Sequence, residues 1–548
     1  MKMRRRLIFF YCAALFIFGL IIVRLFYIQI IKGEEYKQAA IRQRTIEIKL
    51  KPSRGMIFDR NLIPLTNKNK IKTMFIFRNM YNEKELSKIL KILDSKNSIK
   101  KYKVLSNGNI IEIPLDKEAD DLKKIGNLKG IYVKDKIKRY DGKNVLSHVI
   151  GYVNKSENKG QSGIERAFDN ILKLEDSYGK SALVVDGRKN LIPGIGMIDV
   201  LKKRNERATG IKLTIDYNIQ KIVERVIDSE KKNGAVIVAN VKSGDILAMV
   251  SRPNFDQENV VKYFNSDNME LYNKAVQVAY PPGSLFKIIV LAAALESGKV
   301  DLDKKYFCKG YEEIGNIKIA CHSHKTGGHG EINLEEAFYN SCNSIFIQIG
   351  KIVGAKNIIQ TAKKFGFGEL INIGLLEEVK GNLPEGNDIL GPAIGNISIG
   401  QGSIEVTPLQ ITNMIVTIAN NGIMKDMSIV DSLVTEDGRV IKKIKRDKPK
   451  RILNSYYAKL IRRYMEKVVT MGTAKNISME EIGGAAGKTG SAQAVYNKRE
   501  TIHAWFAGYF PKDNPKYAIT VLIENGISGG KTAAPIFEKI AKEIEKIE

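Results

Sequence analysis

Tyr280-Pro281-Pro282-Gly283-Ser284-Leu285-Phe286-Lys287 runs directly into Ile288-Ile289-Val290-Leu291-Ala292-Ala293-Ala294-Leu295-Glu296-Ser297-Gly298, and this stretch decides how the chain is read. From Ser284 to Ser297 nearly every position is apolar, which predicts a helix buried all round, with Gly298 where a helix-ending residue is expected. Ser284 and Lys287 open that helix at i and i+3, so their side chains share a face and can touch. A serine hydroxyl is too weak an acid to attack an amide unaided and needs a neighbouring base. Burial disfavours the charged form of a lysine, which suits Lys287 to that task. The helix N-terminus adds backbone N–H groups and partial positive charge where an oxyanion would form.

Ser-x-x-Lys alone carries little weight, because it recurs at Ser98 to Lys101, Ser156 to Lys159, Ser177 to Lys180 and Ser229 to Lys232, none of them opening a buried helix. Two further motifs, placed in order after Ser284, raise it above these. Ser341-Cys342-Asn343 supplies Ser-x-Asn, and Gly487-Lys488-Thr489-Gly490-Ser491-Ala492 supplies Lys-Thr-Gly on a strand-like run. Ser266-Asp267-Asn268 spells the second motif but precedes the nucleophile, and Lys325-Thr326-Gly327 spells the third but precedes Ser341. Neither fits the order.

Working outward, a unit opens near Ile211. Lys212 to Asp216 reads as a short strand with an Asp cap, Tyr217 to Lys231 as an amphipathic helix, and Gly234 to Asn240 with Asp245 to Ser251 as a hairpin. At the other end, Leu7 to Val23 is free of charge and the apolar character resumes from Leu25 to Ile31, long enough for a bilayer core of roughly 30 Å. Lys32-Gly33-Glu34-Glu35-Tyr36 comes next and offers no cleavage site, which favours a retained anchor over a signal peptide. Lys2, Arg4, Arg5 and Arg6 precede the span and place the N-terminus in the cytoplasm and the remainder outside. The net charge of +28 would suit nucleic acid, but the anchor and the lack of a nucleic-acid motif exclude it; anionic lipid or wall polymer, or simply solvated lysine-rich faces, fit better.

The ordered set resembles that of class B penicillin-binding proteins over most of the chain. Also similar to the family are Arg54-Gly55 with Asp59-Arg60-Asn61, Gly163-Ile164-Glu165, Leu213 to Asp216, Gly328-His329-Gly330, Gly400-Gln401-Gly402, Thr407 to Gln410 and His503-Ala504-Trp505-Phe506-Ala507-Gly508. Leu62, Leu285 and Ser491 depart from it, the last keeping a hydroxyl. The resemblance implies an α/β (α+β) chain: tail 1–6, transmembrane anchor 7–31, elongated pedestal or dimerisation domain 32–210, and transpeptidase domain 211–548, an antiparallel sheet flanked by helices. It implies a peptidoglycan D,D-transpeptidase, target of β-lactams, for cell division, elongation or sporulation. Ser284 would be acylated, Lys287 the base, Ser341 the proton relay and Asn343 the orienting group; Lys488, Thr489, Gly490 and Ser491 would form the substrate edge, the Thr489 and Ser491 hydroxyls holding the terminal carboxylate with Lys488 nearby. Stem peptides are then the substrates and a SEDS-family glycan polymerase the partner, since 1–210 holds no polymerase. A D,D-carboxypeptidase, a β-lactamase or a non-catalytic division or sporulation scaffold are the alternatives. Gly400 to Gly402 and Thr407 to Gln410 read as structural, and His503 and Trp505 as packing.

The chemistry needs no cofactor. Cys308, Cys321, His322, His324 and His329 nevertheless fall close together, and thiolate with imidazole suits a structural Zn²⁺. His329 belongs to the Gly-His-Gly turn, so Cys308, Cys321, His322 and His324 are the candidate ligands. A Cys308–Cys321 disulfide is the open alternative.

Overall fold

A computed structural model of the chain describes residues 2–33, 35–36, 39, 45–48, 54–77, 80–94, 103–104, 110–114, 131–174, 181–184, 197–199, 208–496 and 499–547. The Ser-x-x-Lys repeats at 98–101 and 177–180 lie outside these residues, as does most of 37–51. Contacts divide the chain into two units: Met1–Ser53 with Asn69–Lys138 and Leu174–Asn205, and Arg54–Lys68 with Arg139–Lys173 and Glu206–Glu548.

The first unit begins with helix α1 (Lys2–Phe26), continued by a turn of π-helix at Tyr27–Ile31. Its apolar side chains are exposed along its length, and among the described residues it is the one helix long and apolar enough to cross a membrane. A four-stranded sheet in the order Lys103–Val104, Ile110–Pro114, Asn69–Phe77, Ile131–Lys138 packs a small core of Met74, Ile76, Leu86, Ile111, Ile113 and Ile131.

The second unit is built on a five-stranded antiparallel sheet. Its strands are β1 (Gly234–Asn240), β2 (Ile246–Arg252), β3 (Ala486–Tyr496), β4 (Arg499–Phe510) and β5 (Tyr517–Ile523), in the order β2-β1-β5-β4-β3. The hairpin of β1 and β2 comes after helix α2 (Tyr217–Glu230), whose first amides are capped by the Asp216 carboxylate. Among the described residues, strand β3 pairs with β4 on one side only, which leaves its outer edge unpaired. Every residue of β5 is buried, as expected of a strand covered on both faces.

One covering layer is helical. A 3₁₀ turn at Gly283–Phe286 leads into α3 (Lys287–Ser297), in which Lys287 to Leu295 are all buried, and Gly298 ends the helix in the left-handed region at φ 62°. Helices α4 (Leu334–Tyr339) and α5 (Asn343–Val353) flank the turn that carries Ser341. Helix α6 (Pro408–Ala419) opens on a reciprocal Thr407–Gln410 capping box, and α7 (Ser455–Thr470) and α8 (Ala534–Glu545) complete the layers. Within this unit the distant segments 54–68 and 139–173 are joined through buried charge. Arg54 Nε and Arg139 Nε donate to the two oxygens of fully buried Glu165 at 2.8 and 2.7 Å, Tyr140 adds its hydroxyl at 3.2 Å, and Arg54 also pairs with Asp169 at 2.7 Å.

Candidate active site

Ser284 sits in the 3₁₀ turn, half-buried, where two glycines let that turn meet β3. A Cβ on Gly283, itself at φ 54°, would stand 3.0 Å from the Ser491 carbonyl, and one on Gly490 would stand 2.9 Å from the Pro282 carbonyl. The backbone of the turn and that of β3 are therefore nearly in contact at Gly283 with Ser491 and at Pro282 with Gly490. One turn on, Lys287 Nζ is enclosed and donates to the Ser341 carbonyl at 2.7 Å, Ser341 Oγ at 3.3 Å and Asn343 Oδ1 at 2.7 Å. Burial lowers its pKa to about 8, against the opposing pull of the Cys342 and Cys321 sulfurs.

Ser341 adopts φ 57°, a strained conformation for a residue with a side chain, between α4 and α5. Its hydroxyl receives a second lysine, Lys488 Nζ, at 2.9 Å. Lys488 is fully buried, and burial first, then the charge of Lys287, pushes its pKa well down. Asn343 is held at both ends, since its Nδ2 donates to the Ala320 carbonyl at 3.1 Å while Oδ1 accepts from Lys287. Thr489 and Ser491 alternate with Lys488 and Gly490 along β3 and so face the other way from them.

The remaining Ser-x-x-Lys pairs within the described residues, 156–159 and 229–232, are exposed, and Ser266 and Asn268 bond to Glu270 on a surface segment. Trp505 is buried with Nε1 donating to the Pro281 carbonyl at 3.1 Å, and the Tyr280 ring meets His503 edge-on at 5.2 Å. Both therefore pack the segment before Ser284, and burial pulls the His503 pKa down.

The structure brings together two of the four candidate metal ligands. Cys308, Cys321, His329 and Cys342 point one donor atom each into a space where all four lie within 4.8 Å of one another. All four cysteines of the chain are free thiols, Cys308 and Cys321 included. His322 and His324 are not in the set: His324 stacks edge-on against Tyr311 at 5.7 Å, and His322 lies beside the His329 ring at 4.9 Å. Strand pairing explains the difference, because Cys308 is in register with Gly330 and so draws in His329, whereas His322 and His324 lie on the turn between. Cys342, the central residue of Ser-x-Asn, was the other donor missed. The signal was in the cysteine count: outside α1 the chain has only Cys308, Cys321 and Cys342, and all three converge. Hydrogen bonding from Cys342 holds the Cys321 thiol well below its ordinary pKa and pushes the Cys342 thiol up.

Residues 234–542 match the penicillin binding protein transpeptidase domain, and residues 49–194 the penicillin-binding protein dimerisation domain. Stage V sporulation protein D of Bacillus subtilis is 32% identical, the alignment covering 98% of this chain and 85% of that protein. The peptidoglycan D,D-transpeptidase MrdA of Escherichia coli is 26% identical over 96% of this chain and 92% of its own length. Among solved structures, the penicillin-binding protein PBP2 of Helicobacter pylori in complex with MreC superposes with a TM-score of 0.70 at 25% identity, covering 92% of this chain and 99% of that one. With two lysines converging on one serine beside an open strand edge, and with these matches along nearly its whole length, the chain belongs to the class B penicillin-binding proteins, serine-type peptidoglycan D,D-transpeptidases.

Proposed function

We propose that Ser284 is the acylated nucleophile and that Lys287, Ser341, Asn343 and Lys488 move and hold the protons around it. The observation that carries this is the convergence of both lysine ammonium groups on Ser341 Oγ, Lys287 lying one turn past Ser284. Ser284 Oγ attacks the carbonyl carbon between the last two D-alanines of a stem peptide, and its proton passes to neutral Lys287. The oxyanion accepts from the amides of Ser284 and Ser491, each such donor being worth about 3 kcal/mol of barrier. As the C–N bond breaks, Ser341 gives its proton to the leaving D-alanine amine and is reprotonated by a lysine. The stem peptide lies along β3 as an added strand, with Gly490 leaving room and Thr489 and Ser491 holding the terminal carboxylate. A second stem-peptide amine then attacks the ester, forming the cross-link and returning the proton to Ser284.

Labelling by a fluorescent penicillin tests the assignment: wild type labels and Ser284→Ala does not. Undiminished labelling of Ser284→Ala, or release of D-alanine without cross-linked dimer when two stem peptides are supplied, overturns it, the latter in favour of a carboxypeptidase.

The exposed apolar α1 supports a single-pass anchor, and Lys2, Arg4, Arg5 and Arg6 before it support a cytoplasmic N-terminus with the catalytic unit outside. A SEDS-family glycan polymerase in the same membrane is the partner the class resemblance supports, and co-purification in detergent tests it. We further infer that Cys308, Cys321, His329 and Cys342 hold a structural Zn²⁺. Tetrahedral Zn²⁺ with Zn–S of about 2.3 Å and Zn–N of about 2.0 Å spaces its donors by about 3.5–3.8 Å. Cys321 Sγ lies 3.9 Å from Cys342 Sγ and 3.7 Å from His329 Nδ1. One mole of zinc per mole of protein is expected, lost in Cys342→Ser and kept in His324→Ala; retention in the first or loss in the second sinks the ligand set.

A further inference from the structure

A carboxylate only accepts hydrogen bonds, so Thr489 and Ser491 hold one only by donating to it. A hydroxyl has one proton, and which way that proton points is decided by what else the oxygen is bonded to. Ser491 Oγ accepts from the backbone N–H of Gly529 at 3.1 Å. An amide N–H cannot accept, so the sense of that bond is fixed and the Ser491 proton is directed elsewhere. Thr489 Oγ1 has a corresponding neighbour: Thr473 Oγ1, at 2.6 Å.

Thr473 stands in Met471-Gly472-Thr473-Ala474, just past α7, a stretch with no role in the motif reading. Its own N–H donates to the Tyr339 carbonyl at 3.2 Å, two residues before Ser341. A Cβ on Gly472 would come within 2.4 Å of that same carbonyl oxygen, and a Cβ on Gly530 within 2.3 Å of the Thr473 carbonyl oxygen. The Thr473 backbone is thus clamped between the turn that presents Ser341 and the segment just past Gly529. Its hydroxyl is held against Thr489, which is buried, while Thr473 is half-buried.

We propose that Thr473 is a positioning residue for the donor peptide: its hydroxyl donates to Thr489 Oγ1, so that Thr489 turns its proton to the terminal carboxylate, as Gly529 does for Ser491. The proposal rests on the reading of Thr489 and Ser491 as the carboxylate site. Thr473 acts through Thr489 and touches no reacting atom. Each hydroxyl receives a bond before it gives one, and a chain of that kind strengthens the last link.

The test uses the full chain in detergent and a stem-peptide donor ending in D-alanyl-D-alanine, either as the free carboxylate or as the terminal carboxamide. Thr473→Val keeps the branched shape and removes the hydroxyl; Thr473→Ser keeps the hydroxyl. Wild type is expected to prefer the carboxylate donor. Thr473→Val is expected to lose about tenfold in kcat/KM on that donor, chiefly through KM, and little on the carboxamide, with Thr473→Ser restoring it. Equal loss on both donors at an unchanged melting temperature, or no loss on either, overturns the role of Thr473 while leaving the carboxylate site standing. A wild type indifferent between the two donors overturns the carboxylate site itself, and the proposal with it.

Discussion

Lys287 and Lys488 aim two ammonium groups at one oxygen, Ser341 Oγ, at 3.3 and 2.9 Å. Two full positive charges that close in a buried site repel, so the pair favours losing a proton: burial brings Lys287 to about 8, and burial with the Lys287 charge pushes Lys488 well down. The rate of acylation by a penicillin is therefore expected to climb with pH up to about 8 and to level off above, an acid limb that Lys287→Arg shifts upward and nearly abolishes in amplitude. Stability tracks the same proton. Because the folded pKa lies below the ordinary lysine value, the folded state binds fewer protons between the two, and stability rises with pH from about 8 towards 10.5. Melting curves across that range check the sign, and the rise should shrink in Lys287→Met.

At the scale of elements, β3 does two things: it closes the sheet through β4 and, among the described residues, leaves its outer edge unpaired. Gly490→Ala would press its methyl against the Pro282 carbonyl, the Leu285 side chain at 3.1 Å and Trp505 Cβ at 3.1 Å. It should move the Ser284 turn off the strand, cutting acylation by about a hundredfold and costing about 1–3 kcal/mol in a denaturant titration. In α6, Gln410 caps the helix and also donates to the Glu369 and Lys380 carbonyls at 2.9 and 2.8 Å. Gln410→Ala should therefore cost about 2–4 kcal/mol, against about 1 for Thr407→Ala, in the same titrations. Much of this architecture was legible because its signals are local: the α3 run, the Asp216 cap, the two strand-like runs of the β1–β2 hairpin, the Thr407 start. Ser284, Lys287, Ser341, Asn343 and Lys488 are proposed from the order of their short motifs, and the structure brings Lys287, Ser341, Asn343 and Lys488 together. What could not be read is what strand pairing brings together from afar. Four neighbouring His and Cys positions looked like a metal site, yet pairing of Cys308 with Gly330 admits His329, and the start of α5 admits Cys342. Thr473 gave no signal at all, because a lone threonine after a helix has none until Thr489 is beside it.

For the whole molecule, α1 and the catalytic unit make separable demands. Removing 1–31 is expected to shift the protein from the membrane to the soluble fraction while Ser284 still labels with penicillin, as fractionation of both forms can check. The catalytic unit in turn depends on segments far upstream in sequence. Glu165 is fully buried and neutralises Arg54 and Arg139 together, so Glu165→Ala leaves two guanidinium groups short of a counter-charge and should cost about 3–5 kcal/mol, measured by thermal unfolding. Asn343, tethered to Ala320 on one side and to Lys287 on the other, sets a further condition. Ala320 ends the two-stranded ribbon of Tyr311–Ile314 and Ile317–Ala320, which has half of its residues exposed, pairs with no other strand among those described and is held to α5 through Glu312, bonded to Ser344, Gln348 and Lys351. Such a ribbon melts before the sheet does. Heat should then silence this enzyme below its calorimetric transition, reversibly, and the temperature ceiling for cross-linking would be set by a ribbon outside the five-stranded sheet.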